Sequence, residues 1–200
     1  LFGIDLRIHH SGGVAVTFDD GPHPEATPAV LGVLARYGVS ATFFLVGEQV
    51  ERRPELAREI TDAGHTVGIH CHRHRDLLCL RPHEIREDLA RGEAAIEQAT
   101  GERLRLYRPP YGRFALAALR YASRSRWRCL LWSLDSQDWH PQATVSSIER
   151  RVGSAVRSGD VLVFHDADFY GPPQCWRRTV VALPRVLDEL VRRNLSVVAL

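Results

Sequence analysis

The strongest constraint on the fold is an alternation. Short, continuously apolar runs recur along the chain: VAVTF (14–18), ATFFLV (41–46), TVGI (66–69), LRLY (104–107), CLLW (129–132), VLVF (161–164) and SVVAL (196–200). Between them, 24–38, 54–64, 83–101 and roughly 178–193 carry apolar residues at helical spacing. Pro54 stands in a first-turn position, and Gly38, Gly64 and Gly101 mark helix ends, the usual asymmetry of helix termini. Strands that stay apolar without alternating are covered on both faces, which is the habit of a parallel sheet wrapped by helices. The expected class is α/β. Two hundred residues are enough for one domain, 1–200, with a substantial core. A barrel and an open doubly wound sheet both satisfy the pattern. In either, function gathers at the carboxyl ends of the strands.

Composition excludes more than it proposes. A formal net charge of +2 gives no case for nucleic acid or a membrane surface. No apolar run approaches a membrane span of roughly 18–20 residues. No linker, repeat or low-complexity segment interrupts the chain. It opens on Leu1 rather than Met, as a trimmed chain would, so a removed leader or anchor is not excluded. Cys71, Cys79, Cys129 and Cys175 form no CxxC pair and are expected to pack as small apolar residues.

Polar residues cluster where the alternation says a site should be. Asp19 and Asp20 follow the first run. His70, His72 and His74 follow the third, Arg108 the fourth, Asp135, Asp138 and Trp139 the fifth, and His165 and Asp166 the sixth. Asp19 and Asp20 side by side at the end of a buried strand repel, unless something offsets them. His70 and His74, four apart, face the same way on a helical turn. Alone, such a pair is as readily solvated or a helix cap. With Asp20 as third ligand it becomes a metal site with open positions. A cation there offsets the Asp20 charge and leaves Asp19 beside it as an acceptor for a proton from water. Arg108 can hold Asp19 by charge-assisted hydrogen bonds. His72 is expected to point away, and His65 to be structural. His9, His10, His23, His83 and His140 read as surface residues.

TFDDGP (17–22), HCHRH (70–74), RPPYG (108–112), DSQDW (135–139) and VFHD (163–166), in that order, resemble the polysaccharide deacetylases, the NodB homology domain of carbohydrate esterase family 4. The resemblance runs from about Val14 to the end of the chain. It implies a deformed (β/α) barrel of about seven strands. It also implies a divalent metal, zinc or another such as cobalt, held by Asp20, His70 and His74. Asp19 would be the base, oriented by Arg108, and His165 the acid, held by Asp138. Tyr111 would offer its backbone N–H to the oxyanion, and Trp132 and Trp139 would wall a sugar groove. The implied reaction is hydrolysis of the acetamide of N-acetylglucosamine units in peptidoglycan or chitin-like oligosaccharides. Acetylxylan, a lipid-linked sugar and an inactive carbohydrate-binding domain are the alternatives. Polymer substrates of that kind imply an extracellular or cell-surface location.

The chemistry suits these residue types. A metal polarises the carbonyl and lowers the pKa of its bound water from 15.7 to about 7. An amine leaves poorly unless protonated, which requires an acid. Two positions depart from the family pattern. Cys71 replaces a hydroxyl residue after the first ligand histidine. Val163 replaces a leucine expected to contribute to the acetyl-methyl pocket, making it slightly roomier. Neither removes a catalytic group.

Overall fold

A computed structural model describes residues 2–200. In chain order the elements are β1 (Ile4–Asp5), β2 (Gly13–Asp19), α1 (Ala26–Tyr37), β3 (Thr42–Leu45), α2 (Gly47–Arg52), α3 (Pro54–Asp62), β4 (Thr66–Ile69) and α4 (Pro82–Thr100). They continue with β5 (Leu106–Tyr107), α5 (Leu116–Ser125), β6 (Arg128–Leu130), β7 (Leu134–Asp135), α6 (Val145–Gly153), β8 (Val161–His165), α7 (Trp176–Arg192) and β9 (Ser196–Val197). Short 3-10 turns lie at Leu77–Cys79 and Pro110–Gly112.

All the strand pairings are parallel, in the order β1-β6-β5-β4-β3-β2-β8-β7, with β9 joining β2. The sheet curls into an incompletely closed barrel whose edges are β1 and β7. These two strands were not read from the sequence, because each is two residues long and borders polar residues. LRLY yields only two strand residues. The Leu104 N–H donates to Glu97 Oε1 at 2.9 Å instead of entering the sheet. CLLW stops at Leu130, since Arg108 takes the carbonyls of Leu130 and Leu131. Helices α2, α5 and α6 are further additions. The last begins at Thr144, whose side chain accepts from the Ser147 N–H in a capping box.

The period of two sorts the strand residues between layers. On β2, Val14, Val16 and Phe18 join the large core beneath the helices, while Ala15 joins a smaller core inside the barrel. Phe18 stacks on Phe43 at 5.0 Å there. The same alternation turns Thr17 and Asp19 inward with Ala15, Arg108 inward with Leu106, and Val163 and His165 inward with Val161. The barrel is apolar at its base and charged at the carboxyl ends of its strands. At Gly68 there is no room for a side chain: a Cβ would lie 2.8 Å from Phe44 and 3.0 Å from Leu106.

Candidate active site

Asp20 ends the turn after β2 at φ 81°, left-handed backbone that Asp tolerates better than most residues. This separates it from Asp19, which continues the inward face of the strand. The segment 70–74 is a loop rather than a helical turn, with Cys71 at φ 65°. The two histidines therefore converge by loop geometry, not by helical spacing. Asp20 Oδ1 lies 3.5 Å from His70 Nε2 and 3.3 Å from His74 Nε2. Tetrahedral ligands at 2.0–2.1 Å from a zinc ion are about 3.3–3.4 Å apart.

Protonation fits a cation as well. His70 Nδ1 donates to the Arg108 carbonyl at 2.8 Å, so its Nε2 carries the lone pair. Asp20 Oδ1 is buried without a hydrogen-bond donor. Lone pairs thus converge on one point, an arrangement that is unfavourable without a positive charge between them. In the metal-free protein, burial pushes Asp20 up to about 7 and pulls His70 and His74 down to about 3. The His74 ring is fixed by Tyr170, stacked at 4.2 Å, and by the edge of Tyr111 at 4.6 Å.

Asp19 Oδ1 accepts from Arg108 Nη1 at 2.7 Å. Arg108 is wholly buried, and its remaining donors reach Thr17 Oγ1 and the Leu130 and Leu131 carbonyls at 2.8–3.3 Å. Its guanidinium also lies 4.1 Å from the Phe44 ring centroid. An arginine held by four hydrogen bonds is a fixed reference for Asp19. Asp19 and His165 are register partners on β2 and β8, so two chemical groups face the same opening from adjoining strands. Burial alone would lower His165, but Asp138, 2.7 Å from its Nδ1, lifts it to about 10. Burial raises Asp138, but His165 outweighs this and holds it below the usual carboxylate range.

A cavity of about 260 Å³ opens over these groups. Asp19, Asp20, His70, His74 and His165 line it, with Tyr111, Trp132, Trp139 and Tyr170 as aromatic walls. Of the residues selected from the sequence, Val163 is not in the wall. It is 1 % exposed, two residues before His165 on the inner face of β8, and sits below the cavity. Cys71 also points away, its Sγ 3.9 Å from the Tyr107 hydroxyl and apart from the ligand group. Cys79 is exposed rather than packed. His23 is buried, not superficial: its Nδ1 accepts from the Glu25 and Ala26 N–H groups at the start of α1. His72 does point away from the ligand group, and is buried with Nε2 3.2 Å from Glu51. His65 accepts from the Ala41 N–H, a structural task as expected.

Several supporting residues escaped the sequence reading. Asp88 on α4 accepts from the His72 and Arg73 N–H groups at 2.8 and 3.3 Å, tethering the ligand loop. Thr179 on α7 donates to Asp138 Oδ2 at 2.7 Å. The available signal was polar residues on otherwise apolar helix faces, which does not name a partner. The stretch 166–176, by contrast, reads from the sequence as a shaper of the groove, and Tyr170, Gly171 and Cys175 bring it over the cavity.

A family model described as polysaccharide deacetylase matches residues 8–129. A peptidoglycan-N-acetylglucosamine deacetylase of Bacillus cereus is 34% identical over 183 residues, covering 90% of this chain and 83% of the relative. A chitooligosaccharide deacetylase of Bradyrhizobium sp. is 35% identical, covering 92% of this chain and 87% of the relative. The crystal structure of the peptidoglycan N-acetylglucosamine deacetylase Bc1960 matches with a TM-score of 0.91 at 29% identity, over 98% of this chain and 90% of that one. On sequence and on fold alike, the chain belongs to the polysaccharide deacetylase family.

Proposed function

We propose that the protein is a metal-dependent deacetylase that hydrolyses the acetamide of N-acetylglucosamine units in a peptidoglycan- or chitin-like glycan and releases acetate. The observation that carries the reading is the pairing of two held groups beside one ligand cluster: Asp19 on Arg108, and His165 on Asp138. The relatives named for peptidoglycan and chitooligosaccharide deacetylation support the substrate class. On such polymers the enzyme would act at the cell surface.

Two imidazoles and one carboxylate with open positions suit zinc, and cobalt in its place. Held by Asp20, His70 and His74, the ion would polarise the acetamide carbonyl and ease deprotonation of the attacking water. Asp19 takes the proton from that water, its free oxygen aimed by the Arg108 bond on the other. The carbonyl oxygen gains charge as its carbon becomes tetrahedral, and the Tyr111 N–H donates to it. His165 gives its proton to the departing amine nitrogen. Trp132, Trp139, Tyr111 and Tyr170 offer faces to the sugar ring.

The acid distinguishes acetamide from acetyl ester. An alkoxide leaves more easily than an amine, which must be protonated, and His165 is held in its protonated form. A binding module would need neither acid nor base. The test is acetate release from N-acetylglucosamine oligomers and from acetylxylan, by protein stripped of metal and then given zinc or cobalt. Metal-dependent release, faster from the oligomers, is expected. Release only from acetylxylan, or none with metal bound, contradicts the reading.

A further inference from the structure

We propose that Thr179 is a positioning residue for His165, acting through Asp138; this rests on the reading of His165 as the acid. Thr179 lies near the start of α7 and is 1 % exposed. A threonine inside a helix ordinarily returns its hydroxyl to a carbonyl of the preceding turn. The Thr179 hydroxyl instead reaches Asp138 Oδ2, 41 residues away in sequence, at 2.7 Å. An ionised carboxylate only accepts, so the hydroxyl is the donor.

Asp138 thereby receives three donors. Thr179 O–H and the His165 backbone N–H meet Oδ2, and His165 Nδ1–H meets Oδ1. The two bonds on Oδ2 fix the rotation of the carboxylate, and that rotation aims Oδ1 at the imidazole. Without Thr179, Oδ2 keeps only the His165 backbone N–H, and the carboxylate can rotate about that one bond and take Oδ1 out of line with the imidazole. The neighbouring residue completes the attachment. Arg178 donates to the carbonyls of Asp138, Ala143 and His140 at 2.9, 2.9 and 3.0 Å. Backbone and side chain of Asp138 are therefore both referred to the start of α7, an element that contributes nothing to the metal ligands. The Thr179 bond is buried at both ends.

The test separates orientation of the acid from general support. In zinc-loaded protein, Thr179→Val keeps the side-chain shape and removes the donor. It should lower kcat for the acetamide of N-acetylglucosamine oligomers about tenfold with KM unchanged, a fraction of what an acid contributes. Hydrolysis of 4-nitrophenyl acetate, whose leaving group needs no proton, should change less than about twofold. Thr179→Ser should restore both. Thr179→Ala is a second variant without the hydroxyl, should valine disturb folding. One readout needs no substrate: the His165 Nδ1 proton, bonded to a carboxylate, should exchange with water faster in both hydroxyl-free variants than in the wild type or Thr179→Ser. Equal losses on amide and ester, or unchanged proton exchange, would overturn the proposal. Wild-type protein that releases no acetate from the oligomers would defeat the functional reading instead, and proton exchange would still decide the role of Thr179.

Discussion

Asp19 and Asp20 are sequence neighbours with different surroundings, and the backbone is what separates them. Asp19 keeps the inward direction of β2 and meets Arg108, while the left-handed conformation at Asp20 turns its carboxylate to His70 and His74. Asp19→Asn should lower kcat by about 10²–10⁴, with metal content unchanged by elemental analysis. In the metal-free protein Asp20 is raised from 3.8 to about 7, so the folded state loses stability as pH climbs through that interval. A dication reverses the cost. Between about pH 4 and 6 metal uptake should release about one proton, from Asp20, because both histidines, at about 3, are already neutral there. Calorimetry in buffers of different ionisation enthalpy counts that proton. His165 is lifted from 6.5 to about 10, so its pairing with Asp138 contributes stability fully present below about pH 6.5 and lost as pH rises through about 10. Asp138→Asn should move the alkaline limb of the kcat/KM profile downward.

The elements divide into those that present chemistry and those that hold it in place. Strand ends present Asp19, Arg108 and His165, and they were legible because a buried strand that ends in charged residues is costly without a purpose. Helix α4 does the second task for the loop that carries His70 and His74. Asp88 and Gly92 lie one turn apart: the first tethers the loop, and the second lets the helix approach it. A Cβ at position 92 would stand 2.9 Å from the His72 nitrogen and 3.1 Å from the Cys71 carbonyl carbon. Gly92→Ala should therefore cost about 1–3 kcal/mol of stability and weaken zinc binding. Thermal melts with and without zinc should show a smaller metal-dependent gain than in the wild type. That role was not legible in HEIREDLARG, where a glycine inside a helix reads as a weak position and Asp88 as one more surface charge. Its partners are backbone groups on a loop 15–16 residues earlier, and single-chain spacing does not reveal them. The HxxxH pair shows the converse. Its ligands were identified from a helical spacing, yet the structure brings them together by a loop.

Across the whole molecule, a parallel curled sheet gathers groups from six separate strand ends over one cavity, with apolar cores between sheet and helices and inside the barrel. The repeated strand–helix alternation made this architecture readable. The short edge strands were not, because they depend on contacts distant in sequence. On the proposed function, one cation and one acid–base pair make a single hydrolytic centre. The most direct measurement is zinc titration of the metal-stripped protein, followed by acetate release from N-acetylglucosamine oligomers, with Asp19→Asn alongside. Activity should rise to a break at one equivalent per chain, and the variant should take up the same equivalent and keep at most about a hundredth of the activity. Activity without metal, a break at two equivalents, or an active Asp19→Asn would contradict the account.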